Sequence, residues 1–268
     1  TGQIDAEITY AKALLAVNDH EMLSALLPDS PGNPINKLQN LKQLSSNFQY
    51  NLANKNNSEN LFNLPSVETA GASNVFGATK ERSAAGGSIL ANDPHFELSA
   101  PSLFYLARLQ LNNGGIIGAS VPGTPIILSG RNEKLAWGIT ASYLDDQDIF
   151  IEEKNASNPN LYRTEEGWEK FKVDKQYIKI KNSSDIEIER KWTKNGPVLP
   201  TTAFDLLSIT PKRHVASLSW TALTEEDTTV SAAINLMLSQ KVEKGLTALE
   251  DFHAPSLNFL LVDSNKIA

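Results

Sequence analysis

The sequence predicts an α+β protein in which helices and strands occupy separate stretches of the chain. Three observations carry this. Apolar residues recur at three- and four-residue steps near the start, short apolar runs alternate with turn residues from Ser73 onward, and helical spacing returns over 228–252. At 268 residues, 41% hydrophobic and 21% charged, the chain is long and apolar enough to bury a sizeable core.

Taken in order, residues 5–27 begin with an apolar stripe of Ile8, Ala11 and Leu15. Asp19 is placed to cap a further turn bearing Met22, Leu23, Leu26 and Leu27, which Pro28 stops. After a Pro- and Gly-rich loop, Ile35, Leu38, Leu41 and Leu44 give a second short helix. Residues 47–63 are dominated by asparagines at no structural period and read as a surface loop. Strands are then expected at 88–91, 103–111, 116–121, 126–128 and 135–139, divided by Gly86-Gly87, Asn112 to Gly115, Pro122-Gly123 and Gly130-Arg131-Asn132. That pattern is a sheet built from sequential neighbours. Between Tyr177 and Trp192 the alternation of Ile178, Ile180, Ile186 and Ile188 among Lys and Glu predicts a half-exposed satellite hairpin. Residues 257–262 read as a buried strand.

Charge narrows the partners. Lys plus Arg number 24 against 31 Asp plus Glu, a net charge of −7, so there is no electrostatic footprint for nucleic acid or an anionic membrane. The absence of cysteine excludes disulfides, thiol catalysis and thiolate metal sites, and fits an oxidising or a reducing compartment equally. The opening Thr1-Gly2-Gln3-Ile4-Asp5 is neither basic nor apolar, and the last residues read as a strand and turn cut in midcourse. The chain is expected to be a piece of a longer protein.

Four segments hold the candidate chemistry: Gly71-Ala72-Ser73-Asn74, Asn92-Asp93-Pro94-His95, Trp137-Gly138-Ile139-Thr140-Ala141 and Ser256-Leu257-Asn258-Phe259. Singly, each has an ordinary reading: Ser73 starts a strand, His95 hydrogen-bonds in a turn, Asn258 satisfies a neighbouring turn. A serine hydroxyl is a poor nucleophile until a base takes its proton. No Gly-x-Ser-x-Gly elbow supports a conventional serine hydrolase built on His214 or His253, and neither these nor His20 have zinc-ligand spacing. Asp145-Asp146-x-Asp148 is either a solvated acidic loop or an oxygen-ligand site for Ca²⁺, because clustered carboxylates repel unless a cation or solvent separates them.

In their order and spacing the four segments resemble the signature blocks of the penicillin acylase family of N-terminal nucleophile hydrolases. The resemblance is nearly continuous from Ser73 to about Glu152, thins over 153–235, returns around Asn258 and reaches weakly into the first 30 residues. It implies an αββα sandwich, of which this chain holds part. It divides the chain into 1–46, the mainly helical end of an α-chain; 47–72, a loop or removable spacer; and 73–268, the first part of a catalytic β-chain. It also implies that the Ser73 hydroxyl attacks the Ala72 carbonyl and that hydrolysis of the resulting ester frees the Ser73 amine. With a reference pKa of about 7.7 to 8.0, that amine then serves as the base for its own hydroxyl, through a bridging water.

By the same resemblance the backbone N–H of Ala141 and the side-chain amide of Asn258 hold the oxyanion, and His95 orients the Ser73 amine and hydroxyl. A histidine there is shared with acyl-homoserine-lactone and cephalosporin acylases, where penicillin G acylases carry glutamine. Positions matching Pro94, Phe96, Ser129 and Ile139 line the acyl pocket, and Ser129 stands where several relatives have a bulky aromatic, which leaves room. Catalysis needs no cofactor; a structural Ca²⁺ would be held by Glu7, Asp145, Asp148 and the carbonyl of Gln147. The expected function is a self-processing acylase acting on a small N-acyl amide, periplasmic or secreted, completed by the rest of its own chain. The rival is a binding or scaffold homologue that never matures.

Overall fold

The computed structural model describes residues 2–17, 73–96, 99–112 and 114–268. The helical turns expected over 19–44, the asparagine-rich loop and Ala72 lie outside them. In chain order the elements are helix α1 (Gly2–Val17) and strands β1 (Ser73–Ala78), β2 (Ile89–Pro94), β3 (Tyr105–Leu111), β4 (Gly114–Ser120), β5 (Ser129–Arg131) and β6 (Ala136–Ala141). There follow β7 (Gln147–Glu153), β8 (Leu161–Thr164), β9 (Gly167–Lys170), β10 (Lys172–Ile178), β11 (Ile186–Thr193), β12 (Gly196–Leu199) and β13 (His214–Trp220). Helices α2 (Thr229–Leu238) and α3 (Val242–Leu249) precede the last strand, β14 (Leu257–Val262). Two compact units result: α1 with Asp145–Leu223, and the described part of Val67–Leu144 with Thr224–Ala268.

In the first unit α1 buries the stripe that the sequence predicts. Ile4 and Ile8, backed by Ala11 and Leu15, meet Ala216 and Leu218 of β13 and the turn residues Leu206 and Ile209. The sheet beneath runs β10-β11-β12-β13-β7, with every pairing antiparallel. The expected satellite hairpin is therefore the edge of a five-stranded sheet. It is joined there because β11 runs on to Thr193, whose partner Gly196 starts β12 across a tight turn. Glu152 of β7 fastens that turn, accepting from Asn195 Nδ2 at 2.6 Å and from Ser217 Oγ at 3.1 Å.

The second unit has three layers. Its sheet, ordered β14-β6-β5-β4-β3, contains a meander of sequential neighbours as the sequence predicts, but its third strand β5 takes in Gly130 and Arg131, expected as a turn, and β14 is added from far along the chain. On one face Trp137, Leu135, Ile116 and Leu261 pack against Leu236 and Met237 of α2 and Val242 of α3. On the other lies the β1–β2 hairpin, so close that a Cβ at Gly138 would sit 2.6 Å from Val75 Cγ2 and 3.1 Å from Asn92 Cβ. Helix, sheet, sheet is the order of three successive layers of the expected αββα sandwich.

Two expectations are corrected here. Residues 126–128 form no strand, because side chains take up their backbone groups: Ser120 Oγ donates to Ile126 O at 2.7 Å, Ile127 N–H points to Met237 Sδ at 3.0 Å and Trp137 Nε1 donates to Ile127 O at 2.9 Å. The helical stretch 228–252 is two helices. Asp263 accepts the Val242 N–H at 2.9 Å and so starts α3 anew. The buried Asn132 holds the end of α2, donating to Met237 O at 2.9 Å and Ser239 O at 2.7 Å while accepting two N–H groups of its own turn.

Candidate active site

Ser73 opens β1 and stands opposite Pro94 in the register of the hairpin. Strand alternation turns Ser73, Val75, Asn92 and Pro94 inward, half-buried, and leaves Asn74, Phe76, Ala91 and Asp93 exposed. The hairpin thus presents Ser73 toward the sheet that carries β6 and β14.

The first pair of β5 with β6 is Gly130 with Trp137, so beyond Trp137 that edge of β6 has no strand partner. The Asn92 side chain takes that place. Its Nδ2 donates to Ile139 O at 2.9 Å and its Oδ1 accepts the Ile139 N–H at 3.0 Å. N–H groups two residues apart on a strand point to the same edge, so the Ala141 N–H is directed to the edge that Asn92 occupies. On the other side of β6, Asn258 of β14 is paired with Thr140 and Leu257 with Ala141.

The strand expected to be buried is so only at Leu261 and Val262, and Asn258 is exposed. Its Nδ2 donates to Thr140 Oγ1 at 3.1 Å and to Ala141 O at 3.3 Å. His95 Nε2 lies 2.6 Å from Asp93 Oδ2, both side chains being well exposed, so the described partner of the imidazole is a carboxylate two residues back in the chain. Among the pocket candidates, Phe96 packs edge-on against Phe104 with centroids 5.4 Å apart. Ser129 Oγ donates to Asn92 Oδ1 at 2.7 Å, and Ile139 meets the same carboxamide through its backbone. Pro94 is the cross-strand neighbour of Ser73. Asn92 is thus what gathers Ser129, Ile139 and the β1 strand, and the sequence reading gave it no role. The available signal was a carboxamide at an inward position of an alternating strand.

In the other unit, Glu7 of α1 lies near enough to Asp145 and Asp148 to feel their charge. Burial first, then Asp145 and Asp148, push its carboxyl up to about 7. Burial and Asp145 also raise Asp148. Among the described residues no three His, Asp or Glu side chains are arranged to hold a metal ion. The carboxylates are coupled but not closed into a ligand shell. A cavity of about 670 Å³ lies at the far end of the second unit's sheet, beside Ala136 and Val262. Its walls mix Arg131, Lys241 and Lys266 with Glu133, Glu243 and Asp263, and it includes none of the candidate catalytic residues.

The family model described as penicillin amidase matches residues 1–268. Acyl-homoserine lactone acylase QuiP of Pseudomonas fluorescens (strain Pf0-1) is 28% identical over 261 residues, 92% of this chain and 30% of that protein. Penicillin G acylase of Escherichia coli is 31% identical over 154 residues, 55% of this chain and 18% of that protein. Among solved structures, a thermostable penicillin G acylase from Alcaligenes faecalis in orthorhombic form matches with a TM-score of 0.56 at 25% identity, over 70% of this chain and 33% of that one. The chain spans less than a third of the length of the curated relatives it matches.

Proposed function

The chain belongs to the penicillin amidase family, and from that premise we propose that it is part of a self-processing acylase that hydrolyses an N-acyl amide through Ser73. The observation that carries the proposal is the edge of β6: the Ala141 N–H is directed to the side where the Ser73 hairpin is anchored, with the Asn258 amide one strand away.

The chemistry follows from those positions. After cleavage of the Ala72–Ser73 bond the Ser73 amine, in its unprotonated form, takes the hydroxyl proton through a water as Oγ adds to the acyl carbon. The tetrahedral oxyanion is held by the Ala141 N–H and by Asn258 Nδ2, which gives up its longer contact, 3.3 Å to Ala141 O, to reach it. The amine returns the proton to the leaving nitrogen, and water then hydrolyses the acyl-enzyme. His95, held by Asp93, steers the Ser73 amine and hydroxyl. Pro94, Phe96, Ser129 and Ile139 receive an apolar acyl group, and the small Ser129 favours a roomy pocket. The histidine after Asp93-Pro94 favours acyl-homoserine lactones or cephalosporin-type amides over penicillin G.

The donor set of Glu7, Asp145, Asp148 and the Gln147 carbonyl is hard oxygen, the kind Ca²⁺ prefers, and the electrostatic coupling of the three carboxylates supports a structural ion there. No catalytic step passes through it. A periplasmic or secreted location completes the reading. No described helix is long and apolar enough to cross a membrane.

Intact mass and N-terminal sequencing of the full-length natural protein test the proposal. A chain beginning at Ser73, absent in Ser73→Ala, is expected, together with acyl-amide hydrolysis that the variant lacks. A parent that stays uncut for days and releases no acid from acyl-homoserine lactones or β-lactam amides would leave the binding-scaffold reading in its place.

A further inference from the structure

The carboxamide of Asn92 has four hydrogen-bonding positions, two N–H donors and two oxygen lone pairs, and all four are used. Nδ2 donates to Asn74 O and Ile139 O, each at 2.9 Å. Oδ1 accepts the Ile139 N–H at 3.0 Å and the Ser129 hydroxyl at 2.7 Å. One end of this set lies next to Ser73, the other two residues before Ala141, and the third on β5.

We propose that Asn92 is a positioning residue that fixes the Ser73 strand against the Ala141 strand, and that Ser129 locks its orientation. The proposal rests on the Ser73 reading above. The geometry allows only one orientation of the amide: a flip would set Nδ2 against the Ile139 N–H and Oδ1 against two carbonyls. Ser129, with its hydroxyl committed to Oδ1, supports this amide as well as bounding the pocket. Because the reacting atoms tolerate little displacement, a shift of about 1 Å between β1 and β6 costs on the order of 10²-fold in rate.

The test uses the full-length protein and counts chains that begin at Ser73 by intact mass, so that turnover is expressed per matured chain. Asn92→Asp keeps the shape and both acceptor positions but faces two carbonyls with an oxygen. Its kcat is expected to fall ~10²-fold with KM changed by less than about three-fold. Protonation of the introduced carboxyl restores one donor, so the ratio of variant to parent kcat is expected to rise as the pH is lowered, which a general loss of folding does not produce. Ser129→Ala is expected to lose ~5-fold in kcat, the worth of one hydrogen bond, and Ser129→Thr, which keeps the hydroxyl, to lose less than Ser129→Ala does. These two variants decide the matter if Asn92→Asp does not fold.

An Asn92→Asp kcat within about three-fold of the parent overturns the proposal, as does a loss with no pH-dependent ratio, or a Ser129→Ala protein as fast as the parent. A parent whose activity survives Ser73→Ala overturns the Ser73 reading and this inference with it, a result separable from the others by that one variant.

Discussion

Asn258 and Glu152 show how differently two polar side chains on strands can be used. Asn258 is exposed and holds a weak 3.3 Å contact that an oxyanion can replace. Asn258→Ala is therefore expected to lower kcat by about 10²- to 10³-fold with thermal stability nearly unchanged; a small kcat effect in the mature full-length enzyme would remove it from the oxyanion site. Glu152 is buried, and its Oε2 is without a hydrogen-bond partner among the described residues. Burial raises its carboxyl above the ordinary 4.5, more than the bonds from Asn195, Thr193 and Ser217 and the charge of Lys194 lower it. A raised acid holds its proton more firmly in the folded than in the unfolded state. Its contribution is fully present below pH 4.5 and is lost as the pH rises through the folded pKa. Relative to Glu152→Gln, the parent should gain stability as the pH falls from 8 toward 4 in urea unfolding, and parallel pH curves would contradict this.

At the scale of elements, the two faces of the second unit's sheet are tied down by the same device. Asn132 fastens α2 to the β5–β6 turn on the helix side, and Asn92 fastens β1 to the open edge of β6 on the hairpin side. Both saturate a carboxamide where regular pairing stops, because a backbone group left unpaired there would cost about 1–3 kcal/mol. Gly138 sets how near the hairpin comes. Its absent side chain leaves room for Val75 and the Asn92 Cβ, so Gly138→Ala should push the hairpin off the sheet at a cost of about 1–3 kcal/mol. The variant is expected to lose kcat as well as melting temperature; full activity would mean that the spacing of β1 and β6 is not critical.

For the whole molecule, three carboxylates coupled across α1 and the start of β7 are a standing repulsion that a divalent cation would relieve. In the full-length protein, Ca²⁺ at about a hundred times its dissociation constant should stabilise by ~2.7 kcal/mol. A chelator should reverse this, and Glu7→Gln should lose most of the shift. A melting temperature indifferent to Ca²⁺ and chelator would return Asp145-Asp146-x-Asp148 to a solvated loop.

The α+β class, strands β3, β4 and β6, the helical stripe of α1 and the β14 boundaries are legible in the sequence, since each is a periodicity that local side-chain direction imposes, whereas β5 falls where the sequence reads as a turn. It also held the signature blocks by which the chain resembles its family. What it could not carry was which backbone groups would be met by distant side chains. Met237 and Trp137 take the backbone of Ile127 and prevent a strand at 126–128, and Asp263 starts a second helix 21 residues before it in the chain. Likewise Asn92 lies in a quoted block with no role, because its four partners come from β1, β5 and β6. Only the tertiary structure brings those partners together, since a saturated carboxamide depends on positions in space for which the local sequence has no period.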